Sequence, residues 1–327
     1  MPRRTGFSTA SGHACIDDGT LITEALQHCT GIGPIRLAQL HAAGLRTWSD
    51  ILRCEAQSAF HWQEQLAKEV RQCAQALAAN DVRFFVERLA PQDKWRILGH
   101  FFEQTTFFDI ETTGLDYDAT ITVIICWHKG RLHTFIEHEN LDDFLDLLDD
   151  ITLLASFNGS SFDVPRVLES FHLPELPCPH LDLRWVGYHQ GYSGGLKEIA
   201  ASMRIERPDD LQFVNGDDAV RLWSMWLRHR NANSRQMLIR YCAADVLLLT
   251  AVAERLAGRK PQLIGSAFWK HLPDRVSFRV QSTPPATTSP NVDHPPQHGK
   301  PPQPSGNFLQ RIRGQRDLLS RLSKRRK

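Results

Sequence analysis

Two acidic residues two positions apart, Asp109 and Glu111, interrupt an apolar run in the segment FFDIETTGL, residues 107–115. Residues two apart in a β-strand project from the same face. We therefore expect the two carboxylates to point together while Phe108 and Ile110 pack behind them. Two carboxylates about 4 Å apart repel by roughly 4 kcal/mol at an effective dielectric near 20, so such a pair needs a cation. A bare D-x-E is also what a strand shows when it simply runs out into a loop.

Two more acidic residues follow in positions that predict the same site. Asp163 ends the segment NGSSFD, after an apolar strand and at the start of a predicted helix. Asp245 ends the segment YCAAD on a long predicted helix, where Tyr241 lies four residues earlier and shares its face. One strand and two helices thus supply four carboxylates beside an apolar scaffold. An oxygen-rich cluster of this kind suits Mg²⁺ or Mn²⁺ rather than zinc, which prefers His and Cys.

These motifs resemble those of a known enzyme family. FDIETTGL, NGSSFD and YCAAD occur in the order of the three motifs of the DEDD exonucleases of the ribonuclease H-like superfamily, over about residues 105–258. That family divides by whether Tyr or His precedes the last Asp. Tyr241 stands in the tyrosine position, and Arg240 occupies the place of the His. The short domain and the lead-in from Trp95 to Phe102 look most similar to the YprB-like predicted exonucleases.

The resemblance implies a metal-dependent 3′–5′ exonuclease. Its catalytic residues would be the four acids and Tyr241, and the same four acids would hold two divalent cations, Mg²⁺ or Mn²⁺, against the scissile phosphate. Tyr241 would orient the attacking water, because its ordinary pKa of about 10 makes it a poor base. Asn158 would bind the terminal nucleotide, backbone amides from Thr112 to Gly114 its sugar, and Leu115 would wedge against the last base. Nothing in the sequence distinguishes DNA from RNA.

Several of these residues also have a structural interpretation. Tyr241 can be a core tyrosine with a satisfied hydroxyl, and Asn158 a turn residue before a glycine. Asp182 is an additional acid that supports the four from behind or, as we favour, a strand-end carboxylate. Lys197 can meet a phosphate at a helix start, although a solvated lysine is the favoured interpretation. For the whole chain, the alternative from another functional class is a non-catalytic nucleic-acid-binding adaptor with a silent ribonuclease H-like scaffold.

An α/β fold must position these residues. Three strands in succession, then strands alternating with helices, predict a ribonuclease H-like mixed β-sheet flanked by helices. The predicted strands are 105–110, 120–127, 132–137, 153–157 and 181–183. The predicted helices are 141–148, 162–171, 196–203, 218–230 and 234–256.

A small all-α module is predicted before the sheet, at residues 19–80. Its first helix is indicated by an apolar stripe at Leu21, Ile22, Ala25 and Leu26. Within it LQHCTGIGPIRLAQLHAAGL resembles a helix-hairpin-helix, with Gly31, Gly33 and Arg36 in the matching positions. The glycines permit a tight turn, and free amides at the next helix start can grip phosphate without reading sequence. A purely structural helix turn is the alternative. Residues 81–104 are a connecting segment whose apolar residues predict contact with the next domain.

Charge and composition complete the predicted organisation. Hydrophobic residues make up 42% of the 327 and charged residues 23%, which is ordinary for a soluble protein. We expect residues 1–18 to be disordered, 105–280 to form the exonuclease domain, and 281–327 to be a disordered Pro-rich linker with a basic tail. Eight Lys/Arg and one Asp give residues 306–327 a net charge of +7, which leaves −6 on the remainder of a chain whose total is +1. The tail is either a phosphate-attracting arm or a solubilising end.

The expected partner is nucleic acid. Single-stranded 3′ ends would enter the acidic site, and duplex or branched DNA would contact the hairpin module. Seven Cys without a C-x-x-C pair argue against a disulfide framework or structural zinc and for a reducing compartment. The first residues lack a signal-peptide pattern, and we saw no run near the roughly 18 apolar residues of a membrane span. We therefore expect a cytoplasmic protein with no membrane partner.

Overall fold

A computed structural model describes residues 22–54, 61–116, 118–259 and 269–275. All of these residues lie in one compact unit. The predicted disordered start, residues 1–18, and the predicted linker and tail, residues 281–327, lie outside the described residues.

The centre of the described chain is a five-stranded mixed sheet of order β3-β2-β1-β4-β5. β1 pairs antiparallel with β2 and parallel with β4; β2–β3 is antiparallel and β4–β5 parallel. This is the mixed α/β sheet that the sequence predicts. The strands are β1 Thr105–Thr112, β2 Ile121–His128, β3 Arg131–Ile136, β4 Leu153–Ser156 and β5 His180–Asp182.

Alternation along β1 divides the interior into two apolar clusters. Phe107 belongs to the cluster on the face covered by the long helix α11 (Ala232–Leu256), which contacts β1 and β2. Phe108 and Ile110 belong to the other cluster, with α6 (Phe144–Leu148) and α7 (Asp163–Ser170). Since successive strand residues face opposite ways, Asp109 and Glu111 must lie on the α11 face.

Helix α11 is a core helix although its composition resembles a membrane span. Its mean hydropathy of 1.5 over 18 residues and its length are sufficient to cross a membrane, but 89% of that window is buried inside the protein. Our statement that no run approaches a membrane span was therefore wrong. A helix that is apolar on all sides is equally typical of the centre of a large soluble core.

Three further helices pack against α11: α8 Leu183–His189, α9 Leu196–Ser202 and α10 Gly216–His229. We predicted α9 and α10 but not α8. Its sequence, LRWVGYH, is short, contains a glycine and is apolar on both faces, so it has no clear helical periodicity. The helix begins directly after Asp182, whose side chain caps it by accepting a hydrogen bond from the amide of Arg184.

The N-terminal region is helical, with one correction. Instead of the first helix expected through residues 21–26, the described residues form a 3₁₀ turn at Ile22–Glu24. The amides of Ala25, Cys29 and Ile32 each bond three residues back, so the chain advances by successive turns. Leu21 lies outside the described residues. The helices are α1 Pro34–Ala42, α2 Trp48–Cys54, α3 His61–Ala78, α4 Val82–Arg88 and α5 Trp95–Phe101.

Residues 81–104 form α4, α5 and short 3₁₀ turns, none of which we predicted. Ile97, Leu98 and Phe101 on α5 are fully buried, and α5 packs against α11. The buried residues of the N-terminal helices belong to the same apolar cluster as the α11 face of the sheet. The helical region and the sheet therefore share one core.

Candidate active site

Strand β1 delivers Asp109 and Glu111 to one face of the sheet, as their spacing predicts. Their partners on β2 are Ile125 and Val123, and the register shifts immediately after Glu111, so the strand bends away there. Oxygens of the two carboxylates and the Cys242 sulfur all lie within 4.8 Å of one another. Both acidic side chains are half-buried at the end of an apolar strand.

Asp163 enters from the loop between β4 and α7. It is the first residue of α7 and is buried, and its carboxylate accepts a hydrogen bond from the amide of Ile110 on β1. The preceding Gly159 permits this approach. A Cβ at that position would lie 1.8 Å from Ser156 Oγ and 3.1 Å from Asp163 Oδ2.

Helix α11 supplies Tyr241, Cys242 and Asp245, all buried. The Cys242 thiol lies 3.7 Å from Asp109 Oδ2. Burial, and then the charges of Asp109 and Glu111, raise the pKa of this thiol well above its ordinary value. Cys242 therefore stays protonated and donates to Asp109, so it fixes that carboxylate rather than competing for a cation.

These elements form one cleft of about 340 Å³. The residues that line it include the four acids, Tyr241, Asn158 and Leu115, together with Ile110, Phe157 and Phe162. The structure therefore brings together most of the residues that the sequence singled out. Thr112 and Gly114 do not line the cleft. Gly31, Gly33 and Arg36 line a separate concavity of about 320 Å³ with Pro34, Ile35 and Gln39.

Burial is the largest cause that raises the pKa of each of the four acids, and repulsion from the other acids of the cleft adds to it at Asp109 and Glu111. The pKa of Asp109 lies well above its ordinary value through burial and then the charge of Asp163. Burial and Asp245 raise the pKa of Glu111 to about 8. Burial raises the pKa of Asp163 to about 7. Such a cluster retains protons near neutrality unless a cation compensates its charge.

Two basic residues reach the cluster from the side of Asp245. Arg207 Nη2 lies 2.9 Å from Asp245 Oδ1, and its side chain is almost fully buried. Lys197 Nζ lies 3.4 Å from Asp245 Oδ2 and donates to the Tyr241 hydroxyl at 2.8 Å. The favoured interpretation of Lys197 as a solvated lysine was therefore wrong. Arg207 was missed, because an isolated Arg between two helices carries no motif or periodicity.

The rim of the cleft is held by Asp182. Its carboxylate accepts from the amides of Asn158, at 2.8 Å, and Ser160, at 3.1 Å, and it caps α8. Asn158 adopts a left-handed conformation with φ of 64°, which Asn tolerates better than most residues. Its Oδ1 accepts from Arg184 Nη1 at 2.6 Å. Asn158 is thus both a turn residue and part of the cleft wall, and Asp182 organises the rim.

The loop after β1 is largely closed on itself. The Thr112 hydroxyl donates to the carbonyl of Gly114 at 2.6 Å, and the amide of Thr113 donates to Thr120 O at 2.9 Å. The Thr113 amide is therefore engaged within the protein. Leu115 follows with 84% of its surface exposed at the mouth of the cleft.

The donor set fits a pair of hard divalent cations. Four carboxylates from three elements converge on one open cleft, and carboxylate oxygens are the ligands that Mg²⁺ and Mn²⁺ prefer. The nearby sulfur is a buried thiol held in its neutral form, which makes it a poor ligand. Burial raises the pKa values of Glu111 and Asp163, and a divalent cation beside them would favour their ionised forms.

Residues 106–257 match the family model described as the RNase_H superfamily. This segment is a ribonuclease H-like domain. Among solved structures, the family B DNA polymerase from the hyperthermophilic archaeon Pyrobaculum calidifontis is similar to the chain at 16% identity, with a TM-score of 0.36. The match covers 48% of this chain and 27% of the polymerase chain, so it spans about a quarter of the polymerase's length and has no bearing on activity. No curated protein matches the chain.

Proposed function

We propose that the protein is a metal-dependent 3′–5′ exonuclease that hydrolyses phosphodiester bonds at single-stranded ends of DNA or RNA. The observation that supports this most directly is the convergence of Asp109, Glu111, Asp163 and Asp245 on one cleft of a ribonuclease H-like domain. We assign it to the tyrosine branch of the DEDD exonucleases and to the YprB-like group on its motifs, and expect it to act in the cytoplasm.

The charges of the cleft favour two cations. Four ionised carboxylates and the two basic residues Lys197 and Arg207 give the cleft a net charge of −2. Two divalent cations reverse this to +2, which attracts a phosphodiester. When bound, the ions supply activation of the attacking water and stabilisation of the leaving 3′ oxygen. The four acids hold them.

The remaining residues of the cleft position the reactants. Burial, and then the nearby carboxylates, raise the pKa of Tyr241 above its ordinary value, so it stays protonated. Its hydroxyl accepts from Lys197 and is hydrogen-bonded to Asp245, so both neighbours hold it where it would orient a water beside the acids. The Oδ1 atom of Asn158 is occupied by Arg184, so its NH₂ group is the donor that meets the terminal nucleotide. Leu115 lies at the mouth, where an apolar side chain can pack on the last base.

An assay with single strands labelled at one end tests the proposal. With Mn²⁺, 5′-labelled strands should shorten progressively, while 3′-labelled strands should release a labelled mononucleotide at once. EDTA should stop both reactions. Asp109→Asn should lower the rate by at least about 100-fold, because it removes a cation ligand. Asp142→Asn, an exposed acid outside the cleft, is the matched control and should leave the rate unchanged.

One observation also fits the alternative of a non-catalytic nucleic-acid-binding adaptor. Asp245 is already paired with Lys197 and Arg207, which is also how a silent scaffold would neutralise an acid. If the wild-type protein shortens no strand with any divalent cation yet binds nucleic acid, the adaptor is correct. If the first products arise from cleavage within the strand and not at its 3′ end, the protein is instead an endonuclease.

The hairpin is proposed as a second contact with nucleic acid. Gly31, with φ of 75°, makes the turn, and α1 begins after Gly33 with its first residues lining the concavity. Helix starts of this kind bind phosphate without reading sequence. We propose that this concavity holds the backbone of duplex or branched DNA beside the single strand in the cleft.

A further inference from the structure

Helix α8 exposes aromatic side chains on its outer face. Leu183 and Val186 are buried, whereas Trp185 is 51% and Tyr188 59% exposed. Short surface helices usually present charged or polar side chains to water. Two neighbouring large aromatics with half of their surface in solvent form a patch of the kind that marks an interaction site. The exposed face comprises Arg184, Trp185, Tyr188 and His189.

This face begins at the rim of the acidic cleft. Arg184 Nη1 donates to Oδ1 of Asn158 at 2.6 Å, and Asn158 lines the cleft. Asp182 binds the amide of Asn158 and caps α8 through the amide of Arg184. At 1.5 Å rise per residue, Tyr188 lies about 6 Å further along the helix axis than Arg184. The aromatic face therefore leads away from the place where a terminal nucleotide would sit.

The geometry of the rings suits stacking. Trp185 and Tyr188 meet edge to face with centroids 6.0 Å apart, and Tyr188 and His189 do so at 5.4 Å. In an edge-to-face pair the edge of one ring covers only one face of the other, so each ring keeps a face on which a flat ligand can stack. The guanidinium of Arg184, 5.8 Å from the Trp185 ring, adds positive charge for a phosphate. Aromatic rings interleaved with a basic group bind unpaired bases, whose faces a duplex conceals.

We infer that this face of α8 is a stacking platform for single-stranded nucleic acid, holding the bases on the 5′ side of the nucleotide in the cleft. The inference rests on the proposed function for the identity of the strand in the cleft. Stacking uses the faces of the bases, which DNA and RNA share, so the platform accepts both. With this platform the protein should bind strands several nucleotides long more tightly than a single nucleotide.

Binding of a labelled oligonucleotide, measured by fluorescence anisotropy with Ca²⁺ in place of Mn²⁺, tests the platform. Trp185→Ala and Tyr188→Ala should each weaken the binding of a ten-nucleotide strand by about fivefold to 150-fold, the usual loss for one stacked base. Trp185→Phe should retain most of the affinity, and Trp185→Leu should not, because only an aromatic ring stacks. Phe213→Ala is the matched control, since Phe213 is 90% exposed but does not line the cleft.

A second measurement separates this inference from the proposed function. A nucleoside p-nitrophenyl phosphodiester fills only the cleft, so the variant with both rings removed should hydrolyse it at the wild-type rate. If wild type hydrolyses neither ester nor strand, the exonuclease proposal fails, while a loss of strand binding in the variants still supports the platform. Unchanged strand affinity in Trp185→Ala overturns the platform. So does a loss of self-association in the variants with strand affinity intact, which would make the face a contact between copies.

Discussion

Gly159 shows how closely single residues determine the cleft. It lies between β4 and α7, against the side chains of Ser156 and Asp163. Its neighbour Asn158 forms the rim, and Asp163 is one of the four acids. A side chain at residue 159 would overlap Ser156 and come close to Asp163, so it would have to displace residues that shape the cleft.

Gly159→Ala should therefore impair the cleft. The added methyl would overlap Ser156 Oγ, and overpacking of this kind costs about 1–3 kcal/mol in unfolding free energy. We expect a lower melting temperature and a fall in Mn²⁺ affinity, measured by thermal unfolding and by titration. Gly114→Ala provides the control, because a Cβ there meets nothing within 4 Å and its φ is not in the left-handed region. Equal behaviour of the two variants would show that the close approach at Gly159 is unimportant.

At this scale the sequence predicts the acids well and their partners poorly. Asp109 and Glu111 are readable because strand periodicity fixes their common direction. Arg207 and Lys197 reach the same cleft from outside any motif, and nothing in their spacing predicts an ion pair with Asp245. Cys242 was visible inside the motif YCAAD, but its hydrogen bond to Asp109 depends on how α11 crosses β1.

At the scale of the elements, a side-chain hydrogen bond holds the glycine hairpin in one conformation. Arg36 Nη1 donates to the carbonyl of Gly31 at 2.7 Å, and both residues line the concavity in front of α1. The guanidinium is thus held beside the helix start, where a phosphate would add to its contacts. Ile35, 79% exposed, lies at the same edge.

Arg36→Gln should weaken duplex binding about equally for all sequences. One lost phosphate contact should reduce the slope of log affinity against log salt by about 1. Electrophoretic or anisotropy titrations over a salt series measure it, and cleavage of short single strands should not change. Arg131→Gln, an exposed basic residue on β3, is the control. A slope that drops equally in the control would indicate a general charge effect. This point change is preferable to deleting the module, because its helices share the core with α11.

Element prediction succeeded where periodicity is clear. The strands and α9, α10 and α11 are recognisable because their buried residues recur at the spacing of their type. Helix α8 was missed because Trp185 and Tyr188 face solvent and remove the contrast between its two sides. The first predicted helix failed because apolar residues 22, 25 and 26 are buried equally well by a series of turns.

For the molecule as a whole, the acidic cleft sets the pH dependence of stability without metal. The pKa of Glu111 is raised from 4.5 to about 8 and that of Asp163 from 3.8 to about 7. A group with a raised folded pKa binds its proton more tightly in the folded state. Its contribution to stability is complete below the unfolded value and is lost as the pH rises through the folded value.

The metal-free protein should consequently melt a few degrees lower at about pH 8.5 than at about pH 6. Mn²⁺ should restore more stability at the higher pH, because the ionised acids bind it better. Thermal unfolding in EDTA and in Mn²⁺ measures both effects. Glu111→Gln removes one titrating group and should flatten the pH dependence. If that variant keeps the full wild-type slope, the cleft is not its origin.

Helix α11, most of whose residues are buried, carries Tyr241, Cys242 and Asp245. Two of the five proposed catalytic residues, Tyr241 and Asp245, are therefore anchored in this buried helix, while Leu115, Asn158 and Lys197 stand on loops or short helices around it. Substitutions at the edge of the cleft can then alter which strand ends bind, because the residues on α11 are held in place by the core. Loss of activity by substitution along that helix should accordingly come together with loss of folding.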